Sequence, residues 1–152
     1  MRSGGLNAAN WAVVTEYQET LKPLKEATLR LDGRSKDGRY GAIYEVIPVY
    51  EHILNCLEER AQTYEDVDFN AHDEAPEDHI KINLNAAWRK GNEYYNKLDD
   101  SPVYYAAVCL HPYYKYYCEN SWADKPGWLT RANAGFQELW ASYKPQRPLS
   151  SR

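Results

Sequence analysis

Apolar side chains recur along the chain at three- and four-residue steps, and no stretch alternates with the two-residue period of a strand. Val14, Tyr17, Leu21, Leu24, Thr28 and Leu31 form one stripe, predicting a helix from Asn10 to about Leu31 with Asn10 as its cap. Pro23 is expected to kink that helix or divide it. The segment "DGRSKDGRYG" (32–41), with its glycines and mixed charge, reads as a loop. Ile43, Val46, Ile47, Tyr50, Leu54, Leu57 and Ala61 mark a second long helix, bent rather than broken at Pro48. A third is carried by Leu84, Ala87, Trp88, Gly91, Tyr95 and Leu98, and Gly91 weakens it by about 1 kcal/mol relative to alanine.

The densest part is "YYAAVCLHPYYKYYCENSW" (104–122), with its tyrosines set around a His-Pro step. Ser101 as cap and Pro102 at the first helical position predict a short helix to Leu110. His111-Pro112 then turns the chain, and a second short helix runs to Trp122. Tyr104, Ala107 and Leu110 share a stripe, so these rings read as packing. Asp124 is placed to cap a last helix through Tyr143, with Trp128, Ala132, Phe136, Leu139, Trp140 and Tyr143 on its inner face. The expected fold is all-α: a bundle of about five to seven helices, several long and antiparallel, with a helix-turn-helix corner at His111-Pro112. The expected division is a flexible start (1–9), one helical domain (10–144) and a flexible tail (145–152), without an internal repeat.

Composition narrows the functional classes. The chain has 152 residues, the size of one domain. Its aromatic share of 14% comes mainly from fourteen tyrosines and five tryptophans, residues suited to cores that reach the surface and to interfaces. A net charge of −4 argues against a broad, nonspecific nucleic-acid surface. No apolar run is long enough for a membrane span, and the start has no apolar signal-peptide region. Three cysteines fit a reducing interior better than a disulfide framework, so an intracellular protein is expected.

Three constellations could carry chemistry. "DVDFNAHDEAPE" places Asp66, Asp68, Asn70 and Glu77 at calcium-loop positions one, three, five and twelve. Ala71 stands where that loop requires glycine, and Pro76 stands where the exiting helix should begin; the segment reads as a solvated acidic connector. Cys109, His111 and Cys118 could ligate zinc, but there is no Cys-x-x-Cys pair and no fourth ligand, and Cys109 lies on an apolar face. No Gly-x-Ser-x-Gly elbow or phosphate-cradling glycine loop occurs. Stacking of bases on the tyrosines would want more cations than Lys115. From the residues alone, this is a non-enzymatic helical domain without a cofactor.

The ordered pieces together resemble a known family. Trp11 is followed by "LKPLKEATLRLDG" (21–33), "IYEVIPVYEHILNCL" (43–57), "AAWRKGNEYYNKLDDSPVYYAAVCLHPYYKYYCENSW" (86–122) and "WLTRANAGFQELWASY" (128–143). This order is similar to the hAT superfamily of DNA transposases, of the fungal type, over residues 8 to 145. Its most specific positions include Tyr94, Tyr95, Leu98, Ser101, Pro102, Tyr104, Tyr105, Ala106, Ala107, Leu110, His111, Pro112, Tyr114, Lys115 and Trp122. Trp88 belongs to the same structural motif.

The resemblance implies the latter part of the all-α insertion that interrupts an RNase H-like core. In the family an Asp, Asp, Glu triad holds divalent metal such as magnesium for strand cleavage and joining. The matching segments for both aspartates lie upstream of residue 1, and that for the glutamate lies after Arg152. The tryptophan that holds a flipped base also falls upstream, and Trp11 matches a later one. No catalytic residue is carried over. Gly91, Arg89 and Tyr113 depart from residues common in the family, and loss of arginine beside Lys115 weakens any phosphate grip at the corner. The implied role is a scaffold, either a fragment or a truncated or domesticated relative of a transposase. Its partner would be the rest of the transposase, another protein or a second copy, with DNA met weakly or indirectly and no membrane. The implied location is the nucleus. A free-standing protein-interaction module of transposon origin is the alternative; for it speak the opening Met1 and the polar ends.

Overall fold

A computed structural model describes residues 5, 7–32, 42–64 and 80–144. Among these the chain is all-α, with no strand and six α-helices: α1 (Ala8–Leu31), α2 (Val46–Gln62), α3 (Ile80–Asn96), α4 (Val103–Leu110), α5 (Tyr117–Ser121) and α6 (Pro126–Tyr143). Two 3-10 turns, Ile43–Glu45 and Lys97–Asp100, lead into α2 and out of α3.

The start of α1 corrects the expected cap. Asn7 holds that position, and Asn10 is its reciprocal partner three residues on. Asn7 Oδ1 accepts from the Asn10 N–H at 2.8 Å, and Asn10 Oδ1 accepts from the Asn7 N–H at 3.1 Å. This capping box satisfies two amide donors that a helix otherwise leaves open. The helix continues through Pro23 without dividing. The missing proline N–H removes one backbone bond, and packing along α2 holds the two halves together. Pro48 sits in the first turn of α2, where the N–H has no intrahelical partner in any case.

The central helix is α2. It lies against α3 over the longest contact and also meets α1 and α4. One core cluster joins Ile47, Leu54, Tyr95, Tyr105, Val108, Cys118 and Trp122. A second, at the other end of the α2–α3 pair, joins Leu57, Tyr64, Ile80 and Leu84. Half-buried Trp88 packs against both. A Cβ at Gly91 would come 3.1 Å from Leu54 Cδ2, so the glycine lets α3 approach α2 closely.

Several expected faces shift. On α1 the inward residues are Ala27, which is buried, with Tyr17, Leu24 and Leu31 beside it; Val14 and Leu21 are exposed. On α4 the buried set is Tyr105, Ala106 and Val108, whereas Leu110 is 61% exposed. This short helix packs against α2 and α6, so two of its sides are covered and the simple one-sided stripe fails. The start of α4 also falls one residue later than expected: Pro102 is the cap, while Ser101 Oγ accepts from the Val103 N–H at 3.4 Å.

The last helix begins at Pro126, after Lys125, with no side chain capping it; Asp124 does not serve. Trp128, Ala132 and Phe136 face the first core cluster, whereas Trp140 and Tyr143 point outward. The calcium-loop look-alike (Asp66, Asp68, Asn70, Glu77), most of the 32–41 segment and the tail 145–152 lie outside the described residues.

Candidate functional site

Glu51 stands one turn into α2 from Ile47, on the side facing α3 and α5. Its carboxylate gathers three donors that arrive from distant parts of the chain. Tyr95 Oη–H donates to Oε1 at 2.6 Å, Tyr117 Oη–H to Oε2 at 2.7 Å, and the Trp122 indole N–H to Oε1 at 2.5 Å. The same indole N–H also reaches Tyr95 Oη at 3.2 Å. A carboxylate can accept at about four lone-pair positions, so a three-donor arrangement suits it. Bonds to an ionised acceptor are the stronger kind.

Aromatic rings extend this junction. Tyr105 stacks on Trp122 with centroids 6.0 Å apart, and Trp122 meets Trp128 edge-on at 5.8 Å. Tyr95 tilts against Trp128 at 6.1 Å, and Phe136 meets Tyr105 edge-on at 6.4 Å. Tyr105 Oη–H donates to Asn133 Oδ1 at 2.9 Å, tying α4 to α6. Pro102 lies against the same helix at Gly135, where an added Cβ would come 3.3 Å from the proline Cβ.

The phenols of Tyr95 and Tyr117 are driven well above the usual tyrosine range, first by burial and then by their bonds to the Glu51 carboxylate. Tyr105 is raised mainly by burial. Unfolded tyrosines ionise near pH 10 (roughly) while these native phenols keep their protons. Above that pH the native state therefore binds more protons than the unfolded state, and stability falls as pH rises. Denaturant titrations across the alkaline range are expected to show the midpoint dropping steadily above about pH 10. A flat midpoint through that range would contradict the assignment of these phenols as buried donors.

The His111-Pro112 corner is built separately. The Tyr113 N–H donates to His111 Nδ1 at 3.2 Å, which leaves the neutral ring's proton on Nε2. That ring stacks on Tyr44 with centroids 3.9 Å apart. Arg30 of α1 closes the group, pairing through Nε with Glu45 at 2.9 Å and donating from Nη2 to Tyr114 Oη at 2.8 Å. Lys115 lies outside it, with Nζ 4.6 Å from the Tyr116 ring centre. Pro112 is exposed.

Of the residues singled out by sequence, Tyr95, Tyr105 and Trp122 meet around one centre, with Pro102 and Ala106 in the elements that frame it. Trp88 lies along α3 between the two clusters, and His111, Pro112, Lys115 and Leu110 lie at or outside the corner. Sequence reasoning missed Glu51, Arg30 and Tyr44. Glu51 had a visible signal: a carboxylate flanked by Tyr50 and His52 within an apolar-faced helix, on a turn that the hydrophobic stripe enters. Nothing local marks which aromatic residues it would meet.

The thiols show no activated nucleophile. Burial pushes Cys118 up to about 12, with Cys109 and Glu51 adding to it. Cys109 is raised by burial as well, and Cys56, although its Sγ lies 3.7 Å from His52 Nε2, is raised by burial and by Glu59 and Glu26. A reactive cysteine needs the opposite shift. Among the described residues, no three His, Cys, Asp or Glu side chains are gathered as a metal site, and no helix is long and apolar enough to cross a membrane.

Fold and site together define an all-α bundle whose aromatic junction is organised by one carboxylate. No protein-family model, curated protein or solved structure matches the chain.

Proposed function

We propose that this chain is a non-catalytic helical scaffold of the hAT-transposase insertion type, a fragment or a truncated or domesticated relative of such an enzyme. The observation that carries this reading is the use made of the residues behind the resemblance. Tyr95, Tyr105 and Trp122 are spent on packing and on the Glu51 bonds, in an arrangement that braces helices. In the parent protein the domain would support the catalytic core and shape the channel for the transposon end, in the nucleus, with divalent metal such as magnesium held by the core's own acids.

The second reading is a free-standing module that binds protein, which would use apolar surface of a kind that a truncated insertion also exposes. Trp11, Val14 and Leu21 are exposed on α1, and Trp140 and Tyr143 on α6. Apolar surface of this kind marks interaction sites.

The test combines two measurements on the purified chain. Supercoiled and end-bearing DNA incubated with the chain and magnesium or manganese is expected to remain uncut. Metal-dependent nicking that survives repurification would overturn the scaffold reading. Mapping the encoding transcript then separates the two. A frame running upstream through two aspartates and downstream through a glutamate-bearing segment supports the fragment; a frame confined to this chain supports the independent module.

A further inference from the structure

A groove of about 420 Å³ runs between α1 and α3, with α2, which packs on both, as its floor. Its walls span two helical turns each, from Leu24 to Leu31 on α1, from Tyr50 to Leu57 on α2 and from Ala87 to Tyr94 on α3. Seven steps of about 1.5 Å make it about 10 Å long. Ala27 and Ala87 bring only methyl groups to it and Gly91 brings no side chain, so the helices leave space there. Thr28 and Ala87, on facing lips, are exposed, and the groove is open to solvent between them.

The two ends differ. Tyr95 bonds to Glu51 at 2.6 Å, which sets Tyr94 and Tyr50 together at one end. Leu57 belongs to the second core cluster with Leu84 and marks the other. One turn before Ala87, Asn83 Nδ2 donates to Tyr17 Oη at 2.9 Å and ties α3 to α1 beyond that end. Among the described residues that line the groove, Lys90 alone is charged. Lys90 and Lys97 place their ammonium groups 4.9 and 5.2 Å from the centre of the Tyr94 ring. Both pair with a single carboxylate, Glu93, at 2.8 and 3.1 Å. Two ammonium groups on one carboxylate leave this cluster one positive charge in excess. An apolar channel of set length with that charge at one end matches an alkyl chain that carries an anionic head.

We propose that this groove binds a medium-chain alkyl carboxylate of roughly eight to ten carbons, its tail toward Leu57 and its head at Lys90 and Lys97. The chain covers Leu24, Leu31 and Ile53, which the fold leaves half-buried. An alkylammonium of the same length meets the same walls but is opposed at the head. A neutral alcohol leaves the excess charge unanswered.

The probes are octanoate, octanol and octyltrimethylammonium, titrated into the full chain and followed by backbone-amide NMR. Octanoate is expected to saturate with a Kd of about 1 mM, shifting amides of α1, α2 and α3 around the groove. It should bind roughly threefold more tightly than octanol, and the cation should bind more weakly still. Affinity should climb from hexanoate to decanoate and level off beyond, where the chain outgrows the walls. Two exposed substitutions move the head in opposite directions. Lys97→Gln removes the excess charge and should bring octanoate down to the level of octanol, whereas Glu93→Gln doubles the excess and should tighten octanoate at least twofold. Ala87→Phe fills the groove from its exposed lip and should abolish binding of all three probes while the melting temperature holds or rises. Octanoate that fails to saturate by about 10 mM would overturn the proposal, as would shifts confined to other parts of the chain. Octanol binding as tightly as octanoate would overturn it too, and would mark the groove as a seat for apolar side chains of a protein partner.

Discussion

Replacing Trp122 with alanine is expected to lower the unfolding free energy by about 4 kcal/mol, read as a shift of the denaturant midpoint at constant slope. The side chain is 5% exposed, stacks on Tyr105, meets Trp128 edge-on, and donates its N–H to Glu51. Its loss removes ring packing from α4 and α6 and a bond to α2, and leaves a cavity at their meeting point. Trp122→Phe keeps one ring in place and loses the donor together with the volume of the second ring, so it should cost less than the alanine change, about 2 kcal/mol. If the two substitutions cost the same, the hydrogen bond rather than the packing carries the effect, and this account of the junction is wrong. A loss of this size matters because domains of this kind are stable by only about 5–15 kcal/mol in total.

The second large effect falls on Glu51. Glu51→Leu leaves the hydroxyls of Tyr95 and Tyr117 and the indole N–H of Trp122 without their shared acceptor, in a region closed to water on the Tyr95–Trp122 side. Bonds to a charged acceptor are individually worth about 1.5–3 kcal/mol, and stranded buried donors add to the cost. Glu51 is itself half-buried, so solvent recovers part of this, and the expected loss is about 3 kcal/mol. Glu51→Gln keeps one acceptor oxygen and should cost roughly half as much. The double substitution Glu51→Leu with Trp122→Phe should cost less than the sum of the singles, since both remove the same bond. Strict additivity would show that the indole and the carboxylate do not interact in solution. The Glu51→Leu variant also gives an independent reading of the alkaline transition, which should shrink once the phenols lose the carboxylate that helps to raise them.

Much of the fold was legible because helices are local. The backbone bond of an α-helix spans four residues, so periodicity within α2, α3 and α6 suffices to declare them, and the boundaries came within a few residues. Two asparagines three apart contain the capping box of α1 in full, and the expectation chose the wrong member of the pair. Proline at 48 and at 126 sits in a first turn, where the chain tolerates it. Faces were harder. The exposed Val14 and Leu21 on α1, and the exposed Leu110 on α4, belong to apolar stripes that look inward in one dimension. Which stripe is covered depends on where the neighbouring helix lies, and periodicity does not contain that.

Sequence by itself determined that this protein is built of helices, where most of them run, and that its chemistry is dominated by tyrosine and tryptophan. Only the tertiary structure decided the centre of the site. The three bonds to Glu51 join residues 44, 66 and 71 positions apart, while nearby tyrosines such as Tyr94 and Tyr113 stay exposed. A ring's composition is the same in either place; a partner's position is not. Hydrogen bonding and close packing act over a few ångströms, so their outcome is fixed by which surfaces the folded helices bring together.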